Sequence, residues 1–125
     1  GIGPLYIHVA DLGDGIERTC LVASALSYTN PKLVLWDDIE VAAHPGLIEG
    51  LVRWLSSKKW QVVLATHSLD VLYAITLVNP PDAQVILLRK TGDDLVKTKN
   101  LDLEELDEIL SRNVDPRKII DVLEL

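Results

Sequence analysis

Two carboxylates stand side by side where an apolar run ends, in Leu33-Val34-Leu35-Trp36-Asp37-Asp38. Adjacent carboxylates are costly to hold unless a cation or a polar partner stabilises them. A hard cation such as Mg²⁺ is the usual partner beside phosphates. A second apolar run, Gln61–Ala65, ends in Thr66-His67-Ser68, where an imidazole can donate to a phosphate oxygen. A third group, Leu12-Gly13-Asp14-Gly15-Ile16-Glu17-Arg18, places glycines where a helix opens. Free backbone N–H groups at the positive end of a helix make an anion site. Each piece taken singly has a plainer reading: a solvated acidic turn, a structural histidine and a glycine-rich turn. Asp37, Asp38, Glu40 and His44 could also be read as the carboxylate–imidazole cluster of a metal-dependent nuclease. All four, however, belong to one strand end and its loop, which argues against convergence on a metal pair.

The surrounding elements must position these groups. Leu5–Val9 reads as a short strand, and Ile16 to about Tyr28 as a helix apolar on most sides and therefore expected to be buried. Leu33–Trp36 and Gln61–Ala65 read as strands of the kind buried on both faces of a parallel sheet. Between them Pro45 opens a helix through about Ser57, with Leu47, Leu51 and Leu55 on one face. A right-handed crossover through that helix makes the two strands parallel neighbours and brings His67 to the same edge as Asp37 and Asp38. That edge is the carboxyl end of the strands, where open α/β sheets bind ligands. Ser68 caps a further helix to about Leu77, and Asn79-Pro80-Pro81 ends it. Gln84–Arg89 is a third strand, and Leu95–Thr98 returns antiparallel after the Gly92-Asp93-Asp94 turn. Asp102 and Glu105 have capping-box spacing ahead of Leu103, Leu106, Ile109 and Leu110, and Asp115-Pro116 starts a last short helix. Alternating strands and helices predict an α/β fold, a largely parallel sheet with flanking helices.

The 125 residues suit one compact domain or part of a larger one, and 48% hydrophobic content supports a packed core. No apolar run approaches a membrane span. The start, Gly1-Ile2-Gly3-Pro4, has no signal-peptide pattern, and the chain contains no Met, which suggests a processed or excised chain. A single Cys20 excludes an internal disulfide and a thiolate zinc site, and a reducing cytoplasm is the natural location. The net charge is −7, and residues 101–125 alone carry eight acids and three bases. Nucleic-acid grips need a basic surface, so any nucleic acid would be held elsewhere in the complete protein. Trp36, Trp54 and Trp60 are expected in the core or at its rim rather than as base-stacking platforms.

Together, in this order and spacing, the three groups resemble the C-terminal motifs of ABC-type ATPases. Leu12–Arg18 is similar to the signature motif of soluble members, Leu33–Asp38 to the Walker B strand, Ile39–Pro45 to the D-loop region, and Thr66-His67-Ser68 to the switch-histidine loop. The resemblance covers roughly residues 5–90. Asp37-Asp38-Ile39-Glu40 followed by His44-Pro45 fits the soluble branch of DNA-repair, overcoming-lysogenisation-defect and phage-defence ATPases. It implies a partial P-loop NTPase core using ATP and Mg²⁺. Asp37 would hold Mg²⁺, Asp38 would orient the attacking water as general base, and His67 would contact the γ-phosphate. Gly13, Asp14, Gly15 and Arg18 would meet the nucleotide of a second protomer in a homodimer, with Glu40 and His44 in the cofactor-binding loop. The single half-domain would span residues 1–125, its motif-bearing core at about 5–90 and its hairpin and acidic helices at about 91–125.

Three departures matter. No Gly-x-x-x-x-Gly-Lys-[Ser/Thr] occurs, so the phosphate cradle of the Walker A half must come from another segment or chain. Asp38 stands where the family has Glu, shorter by one methylene, about 1.5 Å or less. Gly13 stands where the signature has Ser. The chain alone is therefore expected to be inactive, and a non-hydrolytic dimerisation or regulatory module is the alternative. The missing phosphate-loop strand would also leave a gap between Gln61–Ala65 and Gln84–Arg89. Of three ways out, direct closure of those strands on each other or a strand donated by a second copy is expected, rather than Leu5–Val9 filling the slot.

Overall fold

The structure, a computed structural model, describes residues 13–41 and 43–119, together with residues 4, 6 and 8. Helix α1 spans Asp14–Thr29, followed by strand β1 (Leu33–Asp37), α2 (Pro45–Ser56), β2 (Gln61–Ala65), α3 (Leu69–Val78), β3 (Val85–Lys90), β4 (Val96–Leu101) and α4 (Leu103–Ser111), with a 3₁₀ turn at Pro116–Lys118. The α/β alternation expected from the sequence is present.

Local chemistry sets the boundaries. Asn30 and Asn79 end α1 and α3 in the left-handed conformation that Asn tolerates. Ser68 caps α3 by accepting from the Asp70 N–H. Asp102 and Glu105 form a reciprocal capping box at the start of α4. Strand β4 runs three residues beyond the expected Thr98, because Leu101 is itself a core residue.

β1 and β2 pair in parallel, Leu33 opposite Gln61 through Asp37 opposite Ala65. The larger core lies on one face of this pair. It joins Val34 and Trp36 of β1, Ile39, the Ile48, Leu51, Val52 and Leu55 stripe of α2, and Val71 and Ala74 of α3. Burial of each such large side chain contributes about 1.5–3 kcal/mol. A smaller core joins Leu72 of α3 to Leu87, Leu101, Leu106 and Leu110.

Three expectations need correction. The strands are not covered on both faces: Val34 and Trp36 are buried, but Leu35 is 73% and Val63 49% exposed. Period-2 alternation points those residues to the opposite face, which stays exposed among the described residues. Helix α1 is not buried either. Only Gly15 is buried along it, and Val22 and Leu26 touch the larger core, while Ile16, Leu21 and Tyr28 are exposed. Finally, β3 does not close on β2. It pairs antiparallel with β4 as a separate two-stranded sheet. That hairpin buries Leu87 and Leu101 against Leu72 and α4, so its apolar face is satisfied without joining the parallel pair. The expected strand Leu5–Val9 lies outside the described residues, apart from residues 6 and 8.

Candidate functional site

The parallel register puts Asp37 and Ala65 side by side, so the acidic turn and the histidine loop leave the sheet at one edge. The Asp38 N–H donates to the Ala65 carbonyl at 3.0 Å, extending the ladder one residue past the strand. Asp38 itself has φ 52°, in the left-handed region. Only a few non-glycine residues adopt that region, with Asp and Asn favoured among them. The Val41 N–H then donates to the Asp38 carbonyl at 3.1 Å and the Ala43 N–H to Glu40 at 3.0 Å, so the chain coils tightly through the turn.

That coil brings Glu40 back over the histidine loop. Its Oε1 accepts from the Thr66 hydroxyl at 2.7 Å and from the His67 N–H at 3.1 Å. The Thr66 oxygen in turn accepts from the Ser68 N–H at 3.0 Å. Burial alone would raise the Glu40 carboxyl. The hydrogen bonds from Thr66, from its own backbone N–H and from His67, with the imidazole charge, outweigh burial and hold it below its ordinary value. Glu40 Oε2 is buried with no hydrogen-bond partner among the described residues.

On its other side the same loop meets the C-terminal turn. Arg117 Nη1 donates to the His67 carbonyl at 2.9 Å. Arg117 is aimed by Asp115, which accepts from its Nε at 2.8 Å and its Nη2 at 2.7 Å. The guanidinium fork holds the Asp115 carboxyl down at about 2. Sequence reasoning missed both Thr66 as a bridge and Arg117. Thr66 was legible from its place beside His67. Arg117 was not, because fifty residues separate it from the carbonyl it holds.

Asp37, Asp38, Glu40 and His67 are thus brought to one edge. His44 lies just beyond, but its Nδ1 accepts from the Gly46 N–H at 3.1 Å and caps α2. Among the described residues no three His, Cys, Asp or Glu side chains form a metal cluster, so the nuclease-like constellation is not assembled. Gly13, Asp14, Gly15 and Arg18 lie at and within the start of α1, apart from these hydrogen bonds. Gly13 precedes the helix with φ 97° and supplies no side-chain cap, so among the described residues the first N–H groups meet no side-chain acceptor. That φ is strained for any residue with a Cβ, which explains locally why glycine stands here.

Mg²⁺ needs hard oxygen donors but only one or two protein carboxylates, the rest being phosphates and water. Exposed Asp37 and half-buried Asp38, neither paired with a cation among the described residues, fit that demand.

Comparison with known proteins agrees with the fold. A family model described as "AAA domain, putative AbiEii toxin, Type IV TA system" matches residues 2–73. No curated protein sequence matches. A solved structure from work on "structural biochemistry of ATP-driven dimerization and DNA stimulated activation of SMC ATPases" superposes with a TM-score of 0.61 at 17% identity, covering 79% of this chain. This chain spans 58% of that one, and at this identity the likeness establishes the fold. Among the described residues no helix is long and apolar enough to cross a membrane.

Proposed function

The chain belongs to the AAA-domain family whose model spans residues 2–73, and we propose that it is the Walker B, signature and switch-histidine half of an ABC-type ATPase, incomplete without a phosphate-loop half. One observation carries this reading: the register that sets the acidic turn beside Thr66-His67 at the carboxyl edge of parallel strands. ATP is the substrate. Asp37 would hold Mg²⁺, which when bound neutralises charge on the phosphates. Asp38 orients a water whose oxygen attacks the γ-phosphorus; the bond to the bridging oxygen breaks, ADP leaves, and the water proton passes to Asp38. His67 donates to a γ-phosphate oxygen. Such sites work by positioning and electrostatics.

The free N–H groups at the start of α1 suit the nucleotide of a second protomer, so the active form is a homodimer. The solved relative's ATP-driven dimerisation is in keeping with this. The bare Leu35–Val63 face and exposed α1 supply apolar surface for the phosphate-loop half. The whole of residues 1–125 acts as one half-domain in the cytoplasm. In the complete protein it belongs to the soluble repair or defence branch, a placing in keeping with the toxin–antitoxin name of the family model. Nucleic acid, where bound, is held outside this acidic piece.

Asp38 in place of Glu and Gly13 in place of Ser favour a second reading, a non-hydrolytic dimerisation or regulatory module. Joining the chain to its phosphate-loop half and measuring ATP turnover separates the two. Turnover lost on His67→Ala supports the first, and nucleotide-dependent dimerisation without turnover supports the second.

A further inference from the structure

We infer that Glu40 and Arg117 are positioning residues that hold the His67 main chain on either side of its Cα, fixing where its imidazole reaches. The inference rests on the proposed role of His67; it gives Glu40 a specific task in that site and adds Arg117 to it. Glu40 Oε1 takes the N–H of His67 at 3.1 Å, and Arg117 Nη1 holds its carbonyl at 2.9 Å. The His67 side chain, by contrast, is exposed and makes no hydrogen bond among the described residues. The backbone is therefore fixed while the imidazole is left available to a ligand. A histidine whose main chain could drift would need to be ordered again in each catalytic cycle.

The two clamp residues are themselves braced. Glu40 accepts a second bond from Thr66, the residue just before His67, which fixes the carboxylate against rotation. Asp115 grips two nitrogens of the Arg117 fork, leaving Nη1 directed at the carbonyl. The acidic turn, the histidine loop and the C-terminal turn thereby become one unit. Glu40 sits three residues after Asp37, so the clamp also ties the metal-side turn to the phosphate-contacting loop.

The test uses Glu40→Ala, Glu40→Gln, Arg117→Gln and His67→Ala. In the 125-residue chain, amide hydrogen exchange is read residue by residue. Glu40→Ala is expected to speed exchange at His67 by about tenfold, the worth of one hydrogen bond, with α2 amides unchanged as the control for folding. Glu40→Gln, whose amide oxygen can still accept, should restore most of the protection. In the ATPase completed with its phosphate-loop half, Glu40→Ala and Arg117→Gln should lower kcat several-fold with little change in KM. Neither should slow His67→Ala further, since both act through that residue. Unchanged His67 exchange in Glu40→Ala would overturn the clamp, as would a kcat loss that adds fully to that of His67→Ala. A silent His67→Ala, with faster exchange in Glu40→Ala, would instead overturn the reading of the site and leave the clamp as a structural feature.

Discussion

The two ends of the β1–β2 pair are built on opposite principles. At the amino end Trp54 and Trp60 meet edge-to-face with centroids 5.6 Å apart, and the Lys58 ammonium lies over both rings. The Trp60 indole N–H donates to Asn30 Oδ1 at 2.9 Å. Chemistry-bearing groups there are consumed by packing. At the carboxyl end the backbone is hydrogen-bonded as thoroughly, yet the Asp37 and His67 side chains stay exposed. Both ends contain a left-handed residue, Asn30 at φ 43° and Asp38 at φ 52°. Asn30 closes a helix and Asp38 carries an acid. One end spends its side chains on the fold, and the other fixes its main chain and reserves its side chains.

The sharpest way to break this comparison is at Asp38. In the completed ATPase, Asp38→Asn should lower turnover by about 100-fold or more, in the range seen when an electrostatic group of a reaction centre is removed, while nucleotide titration shows binding largely retained. Parent-level turnover would mean that the two ends do not differ in function. The converse change is Trp60→Ala at the amino end. It should cost about 2–3 kcal/mol in denaturant unfolding, below the full aromatic truncation range because the ring is only half-buried. Turnover per folded molecule should be unchanged.

A smaller effect is expected from pH. The Glu40 carboxyl titrates below its ordinary 4.5 in the folded chain. A carboxylate with a depressed folded value stabilises the fold above the unfolded value and loses that contribution as pH falls through the folded one. The stability difference between the parent chain and Glu40→Gln should therefore be constant near neutrality. It should shrink as pH drops below about 4.5, read from unfolding midpoints. The smallest effect sharpens the contrast further. Asp38→Gly should raise stability by under about 1 kcal/mol by relieving a left-handed non-glycine residue, while abolishing turnover. The equivalent gain at Asn30→Gly should be cancelled by loss of its bond to Trp60.

Much of this was legible in the sequence because the signals are local. The caps at Ser68 and Asp102 and the Asp94 turn lie within a few residues of what they bond. The convergence of Asp37, Asp38 and His67 was also legible, since strand–helix–strand handedness fixes it. What failed was partner choice. Apolar Leu35 and Val63 say that a face should be covered, not by what, and among the described residues both stay exposed. The apolar runs of β2 and β3 did not say that β3 would satisfy itself on Leu72 and α4. The Arg117 contact joins segments with no shared pattern.

Helix α3 turns one face to each core, Val71 and Ala74 to the larger and Leu72 to the smaller. The two cores therefore have a wall in common, and neither can melt while the other keeps that helix in place. Heat or denaturant should meet a single cooperative unit, even though its strands form two unconnected sheets. Proteolysis in the exposed Gly92 turn should leave the cut hairpin seated on α3 until the whole chain unfolds.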